Sequence, residues 1–418
     1  MKKLLISVSL LLLMITAACS SGDKEHADGK TTIKYAYWDK KQEKLMKDLV
    51  KEFNKENPDI RVKLELTPYD QYFTKLDAAA TGGSLPDVFW MNGPNFVKYA
   101  SNSMIEPIDD YLTKDKVDVT PYPDGLLGLY KYENKRYALP KDYDTIGLWY
   151  NKKLFDDAGV KYPDQSWEWD DLVNAAKKLT DSSKGIYGIA ASIKDSQASY
   201  FNTIIANGGY VISKDKKKAG FDDSKTKEGL QKYYDLIDKY KVSPTHAQME
   251  TTEANEMFES GKAAMVFQGS YMIPEFKENE YTRENADVAV LPKMEKRSGV
   301  IHGLGNVISA NSDNKDAAWK LVAFLSSKKA AEIQADAGII PAYEGTQDAW
   351  AEATPEFNLQ AFLDMSTVSE PYPVSEDTAK WSKSVDDNLA KAWSGQISID
   401  EACNMIDKEV EKVLADEK

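Results

Sequence analysis

At three places where a strand is predicted to end, this chain sets a flat aromatic ring beside a carboxylate or an amide. Trp38-Asp39 closes a run in which Ile33, Tyr35 and Tyr37 alternate. Trp90 and Asn92 end a short apolar run just before Gly93-Pro94, and Gln268 and Tyr271 follow the apolar run 263–267. A ring offers an apolar plane, and a carboxylate accepts charge-assisted hydrogen bonds from hydroxyls. That is chemistry for holding a molecule. In open α/β sheets the loops after the carboxyl ends of strands face a crevice, so these groups are placed to meet there. Each has a packing alternative. Trp38 reads also as a half-buried ring with Asp39 as a helix N-cap, and Trp90 reads equally as core.

Composition narrows the partners. The chain has 418 residues, 53 basic against 67 acidic, for a net charge of -14. Such a surface repels phosphate backbones, which argues against nucleic acid. Only Arg61, Arg136, Arg283 and Arg297 could supply the planar fork that grips phosphate or carboxylate. His26, His246 and His302 are far apart in sequence, so no metal site and no cofactor is expected. Catalysis finds no nucleophile–base signature. A glycoside hydrolase would need two carboxylates about 5 to 10 Å apart across one bond, and no acid here stands in a motif of its own.

The first residues read as an export signal. Met1-Lys2-Lys3 is a short positive region, 4–15 is an apolar run too short to span a bilayer, and Thr16-Ala17-Ala18 supplies small residues for cleavage. Residues 1–18 are thus expected to be removed. Cys19 comes next, followed by a polar tether to residue 30. The segment resembles a bacterial lipobox, which implies acylation of Cys19. It departs from the pattern at Thr16, where an aliphatic residue is usual. Cys403 then has no partner, and Ile399, Ala402, Ile406, Val410 and Val413 at helical spacing make it a core thiol.

Behind the candidate residues the pattern alternates strand and helix. Strands are predicted at 31–38, 60–66 and 87–90, with helices at 39–57 and 69–80 between them, the grammar of a parallel sheet covered by helices. Later helices are predicted at 169–179, 196–207, 225–240, 253–260 and 315–327, and strands at 263–267 and 307–309. Ser398 to Glu401 reads as a capping box opening the last helix.

Three stretches carry a family resemblance: LVKEFNKENPDIRVKLE from Leu49, GGSLPDVFWMNG from Gly82, and ALPKDYDTIGLWYNKKLFDDAGV from Ala138. FESGKAAMVFQGSY from Phe258 and AAWKLVAFL from Ala317 follow in order. From Thr31 onward the chain resembles family 1 extracellular solute-binding proteins, the maltose-binding-protein-like sugar-binding lipoproteins of ABC importers. The resemblance implies an α/β fold of two lobes, periplasmic-binding-protein-like (type II), with a hinge and an interlobe cleft. One lobe would be 31–140 plus 306–340, the other 141–305 plus 341–418. Crossings would fall near 139–144, 303–306 and 338–342, where Pro140, Gly303, Gly305, Gly338 and Pro341 suit sharp backbone changes.

The same resemblance adds site residues. Tyr143 and Asp144 would lie in the first crossing, His302 and Gly303 in the second. A lone His also reads as a satisfied structural group. Tyr271 falls where relatives place a stacking ring, and Tyr372 and Trp381 where they bring a late aromatic into the cleft. Tyr69 and Tyr72 would rim the site, while Asp87 caps a loop. Trp167 and Trp169 cap and pack a helix, and Trp319, Trp350 and Trp393 pack. The implied function is capture of a carbohydrate, an oligosaccharide by preference, by a monomer that is lipid-anchored on the outer face of the cell membrane or in the periplasm and delivers to permease subunits. Alternatives are a non-sugar solute (a polyamine, glycerol phosphate or ferric ion) and, further off, a glycoside hydrolase.

Overall fold

Alternation of Ile33, Tyr35 and Tyr37 on one side and Lys34 on the other makes β1 (Thr31–Tyr37), which buries its apolar face completely. The computed structural model describes residues 29–194 and 196–417, so Cys19 and its tether up to residue 28 lie outside the described residues. Further strands are β2 (Ile60–Leu66), β3 (Val88–Asn92), β4 (Lys131–Tyr132), β5 (Lys135–Arg136), β6 (Pro140–Asn151), β7 (Met265–Gly269), β8 (Ala286–Ala289), β9 (Val300–Ile308) and β10 (Glu370–Pro371). Helices cover them, and the α/β class is as expected.

The main sheet runs β2-β1-β3-β9-β6-β7, with β10 beside β9 and β8 beside β6. β1 pairs with β2 and β3 in parallel. The remaining pairings on the path are antiparallel. β6 and β9 are therefore shared. One end of β9 pairs with β3, and β6 passes from β9 at Pro140–Thr145 to β7 and β8 at residues 146–151.

The three segments expected to cross between lobes lie side by side. Asp142 pairs with Leu304 and also bridges Pro341, and Tyr143 N–H donates to Ile340 O at 3.2 Å. Two of them are not irregular, as Pro140, Gly303 and Gly305 suggested, but extended strand. A Cβ on Gly303 would sit 2.8 Å from the Asp142 carbonyl oxygen, and one on Gly305 would sit 2.8 Å from Ala138 Cβ and 3.2 Å from the Tyr130 ring. Those glycines permit close packing. Gly338, with φ of +84°, does supply a left-handed turn.

Helices follow apolar spacing and caps. Glu43–Glu56 buries Leu45, Leu49 and Phe53 after a short 3-10 turn, Lys40–Gln42. Ser327 and Ser398 each accept a backbone N–H at the head of their helices. The predicted helix at 196–207 begins later, at Tyr200–Ala206, because 196–199 form turns. Trp149 anchors the core around β6, edge-on to Phe276 at 4.8 Å and Phe357 at 5.0 Å. Trp319, Trp350 and Trp393, expected to pack in the core or on the surface, are all buried. Asp87 accepts from Lys34 N–H at 2.8 Å and Ser312 Oγ at 2.5 Å, a loop-fastening role.

Cys403 is fully buried in the helix Ile399–Asp416, and burial pushes its thiol up to about 12. With Cys19→Ser in place, the native protein should therefore show no titratable thiol at pH 8, and one after unfolding in guanidinium. Rapid labelling of the native protein would place Cys403 at the surface.

Candidate functional site

A cavity of about 680 Å³ opens where β1, β3, β6 and β9 meet the turn after β7. Its walls include nine of the residues singled out from sequence: Trp38, Asp39, Tyr69, Asn92, Tyr143, Asp144, Tyr271, His302 and Tyr372.

Trp38 stands at the end of β1, half-buried, on a bed of rings. Its centroid is 5.0 Å from Trp90 at 89°, 5.0 Å from Tyr72, 5.6 Å from Tyr69 and 6.0 Å from Phe73. Edge-on contacts on several sides fix the plane of the ring before anything binds. Trp90 and Tyr72 are buried in this bed and do not line the cavity. Trp90 is placed beneath Trp38, its indole N–H donates to Tyr35 Oη at 2.9 Å, and Tyr35 Oη in turn donates to Asn306 Oδ1 at 2.6 Å. Trp90 therefore holds the ring that faces the cavity. Tyr69 does line the wall.

Asp39 does both things expected of it. It caps the turn Lys40–Gln42 by accepting the Lys41 N–H at 2.9 Å, takes the Gln42 amide at 3.0 Å, and faces the cavity. Asn92 is likewise an N-cap, accepting the Asn95 N–H at 3.2 Å, and its own amide donates to Tyr69 Oη at 3.3 Å.

On the facing wall, Tyr271 sits in the 3-10 turn Ser270–Met272 after β7, and its hydroxyl donates to Gln268 Oε1 at 3.2 Å. Gln268 lies within β7, is buried and does not reach the cavity; it steadies Tyr271. Tyr372 shares a hydrogen bond with Ser196 Oγ at 3.1 Å and packs on Phe201. Tyr143 is nearly buried, and burial pushes its hydroxyl up to about 12. Gly303 is inside β9, where its carbonyl accepts from Tyr130 Oη at 2.6 Å, and it does not line the cavity. Trp381 is fully buried in the helix Thr378–Trp393, its indole N–H bound to Ser375 Oγ at 2.8 Å; that helix presents Asp386 to the cavity instead.

His302 is buried, and its Nε2 accepts the Gly93 N–H at 3.2 Å, the first free donor of the helix Gly93–Ser101. That bond leaves the proton on Nδ1, which lies 3.9 Å from an Asp144 oxygen. Burial lowers the imidazole to about 4, so at neutral pH this is an approach of a neutral ring to a carboxylate, not an ion pair. Asp144 is also bound by the Gln197 amide.

Sequence reasoning missed several wall residues. Lys41 and Gln42 follow Trp38-Asp39 on the same turn, and that adjacency was the available signal. Asp142, Ile339 and Ile340 lie in two of the segments expected to cross but were not singled out, and Ser196, Gln197 and Asp386 come from segments with no local signature. Asp142 and Lys141 form a buried ion pair, the Lys141 ammonium stands 4.5 Å from the centroid of Trp90, and Asp142 also accepts the Leu304 N–H at 3.1 Å. The charged wall is four carboxylates (Asp39, Asp142, Asp144, Asp386) against two ammoniums (Lys41, Lys194). Among the described residues no group of three or more His, Cys, Asp or Glu is arranged to hold a metal ion.

A sequence model of bacterial extracellular solute-binding proteins matches residues 37–332. The chain belongs to that family. This member is 28% identical over 374 residues to the galactooligosaccharide-binding protein of Bacillus subtilis, covering 85% of this chain and 84% of that one. It is 28% identical over 307 residues to the maltotriose-binding protein of Pyrococcus abyssi, covering 71% and 63%. Among solved structures, an ABC substrate-binding protein of Listeria monocytogenes in complex with cycloalternan superposes with a TM-score of 0.87 at 28% identity, over 92% of this chain and 99% of that one. The GacH receptor of Streptomyces glaucescens shares the fold at a TM-score of 0.83 and 24% identity, over 94% and 100%. As a family member the solute-binding protein is extracellular, and among its described residues no helix is long and apolar enough to cross a membrane.

A neutral buried His ties stability to pH. Its folded-state value lies below the ordinary one near 6.5, so the folded protein gives up stability as pH falls from about 6.5 toward 4, by up to roughly 3 kcal/mol. His302→Gln, which keeps an acceptor, should remove that part of the acid sensitivity in urea titrations at pH 7 and pH 5. An unchanged difference between the two pH values would show that the imidazole titrates alike in the folded and unfolded chain.

Proposed function

We propose that this solute-binding protein captures a neutral oligosaccharide in the cavity and hands it, unaltered, to the permease subunits of an ABC importer. The observation that carries the reading is the pair of facing walls, a braced Trp38 with Tyr69 on one and Tyr271, Tyr143 and Tyr372 on the other, interleaved with Asp39, Asn92 and Asp144. A sugar's C–H faces pack on rings, and its hydroxyls need the acceptors between them. A hexose would fill roughly a quarter of the space at condensed-phase density, so several linked rings suit it better. The galactooligosaccharide, maltotriose and cycloalternan names attached to relatives point the same way. Micromolar affinity requires only about 8 kcal/mol, within reach of a few stacked rings and hydroxyl bonds.

The four wall carboxylates favour a polyamine as second reading. Against it, Asp39 is spent on a cap and Asp142 on Lys141. We further read the molecule as a monomer of two lobes, 31–140 plus 306–340 and 141–305 plus 341–418, that close on the ligand by bending near the β6–β9 contact. The sequence around Cys19 supports an acylated anchor on the outer face of the membrane.

A thermal-shift panel of maltooligosaccharides, galacto- and arabino-oligosaccharides, cyclic α-glucans, spermidine, glycerol 3-phosphate and ferric citrate tests the ligand class. A sugar at a hundred times its Kd should stabilise the fold by about 2.7 kcal/mol. A response to spermidine alone would replace this reading with the second, and new reducing ends after incubation with the sugars would make the protein a hydrolase. Tyr271→Ala should weaken the responding sugar by about tenfold or more with a small change in the Tm of the empty protein. A large fall in that Tm would mark the ring as core. Cys19→Ala should release the protein from cells into the medium, and retention would remove the anchor.

A further inference from the structure

Lys41 lines the cavity from the 3-10 turn Lys40–Gln42, yet its ammonium is ion-paired with Glu275, on the short helix Ile273–Glu278 beyond Tyr271. The two belong to opposite walls. Lys41 stands three residues after Trp38, beside the β1 end of the sheet, and Glu275 stands four after Tyr271, beside the β7 end. The other wall ammonium, Lys194, is paired differently. Its partners Glu253, at 3.3 Å, and Glu250, at 4.0 Å, lie on the same side of the cavity as itself, in the proposed second lobe. Lys41 also faces Glu259, whose carboxyl is raised by burial and pulled back by the Lys41 ammonium. One of its oxygens, Oε1, is buried without a hydrogen-bond partner. One wall thus delivers a single ammonium to two carboxylates on the other. If the walls part, both carboxylates lose their cation together.

We propose that Lys41 and Glu275 form a closing contact, made when the walls come together and lost when they part, which sets the share of molecules already closed before ligand arrives. This rests on the reading of the cavity as a cleft that closes on its ligand. Because the ring pair and the ion pair sit a turn apart on the same two segments, any motion that brings Tyr271 toward Trp38 also joins Lys41 to Glu275. Both groups are partly exposed, with 44% of the Lys41 side chain and 23% of the Glu275 side chain accessible. A pair of this kind is worth about a two- to fivefold shift between states and is screened by salt. It tunes a resting equilibrium, and so the fraction competent to bind tightly, without touching the rings that choose the ligand.

The test needs no ligand, so it fails separately from the sugar reading. Spin labels at Lys51→Cys and Asp170→Cys, both exposed and placed toward opposite ends of the sheet, report the separation of the two walls by pulsed electron resonance. The chain carries Cys19→Ser, and buried Cys403 takes no label. The short-distance fraction should fall about two- to fivefold in Glu275→Lys, and likewise on raising NaCl from roughly 0.05 M to about 1 M. The charge exchange Lys41→Glu with Glu275→Lys should restore it. A distribution indifferent to Glu275→Lys and to salt would overturn the proposal. So would a single reversal that the exchange fails to repair, since the effect would then belong to Glu275 alone.

Discussion

Hydrogen bonding between β6 and β9 under the cavity is the constraint on which the rest of the structure depends. These two strands belong to both ends of the sheet, and the 338–342 segment lies against β6 at Asp142 and Tyr143. The contact is reinforced by charge. Asp142 accepts the Leu304 N–H while paired with the buried Lys141 ammonium, whose other face meets the Trp90 ring. A buried ion pair adds little to stability, but removing either partner leaves an uncompensated charge, so the arrangement fixes geometry more than it adds energy. Three segments in register at one place give a bend a defined axis, which is what capture by closure requires.

From that contact the wall is built outward in layers. Tyr35, Trp90 and Asn306 form a buried hydrogen-bonded line next to β9, Trp90 carries Trp38, and Trp38 faces the cavity. Ring order of this kind lowers the entropic cost of binding, because the platform is already oriented. His302 joins the same scheme from β9. By accepting the Gly93 N–H it stays neutral and fixed, and it turns Nδ1–H toward Asp144. The site is thus rigid where it touches the strands.

Much of this was legible in the chain because it is local. Period-two alternation located β1 and β2, and the ring-and-carboxylate turn after β1 marked Trp38 and Asp39 at the cavity. β6 escaped notice as a strand because it is buried along nearly its whole length, leaving no alternation to read. Of β9 only the end, near 307–309, was read as strand, because Gly303 and Gly305 look like bends when they in fact make room for Asp142 and Tyr130. Trp90 and Trp381 show the limit at the site. Whether a Trp faces a ligand or supports one that does depends on which rings stand over it, and that is settled by tertiary packing. Asp386 was out of reach for the same reason, while Asp142, Ile339 and Ile340 lay in expected crossings that gave no sign of which side chains face the cavity. The lipidation reading lies outside the described residues and rests on sequence alone.

The central claim is that a sugar lies against the face of Trp38. All nine tryptophans are described, and Trp38 alone among them lines the cavity, the other eight being buried. Titration of tryptophan emission with the oligosaccharide that responds in the thermal panel therefore reads this one ring. The wild-type protein should show a saturable change that disappears in Trp38→Phe, while calorimetry still records binding to that variant. An emission change that persists unaltered in Trp38→Phe would contradict that claim.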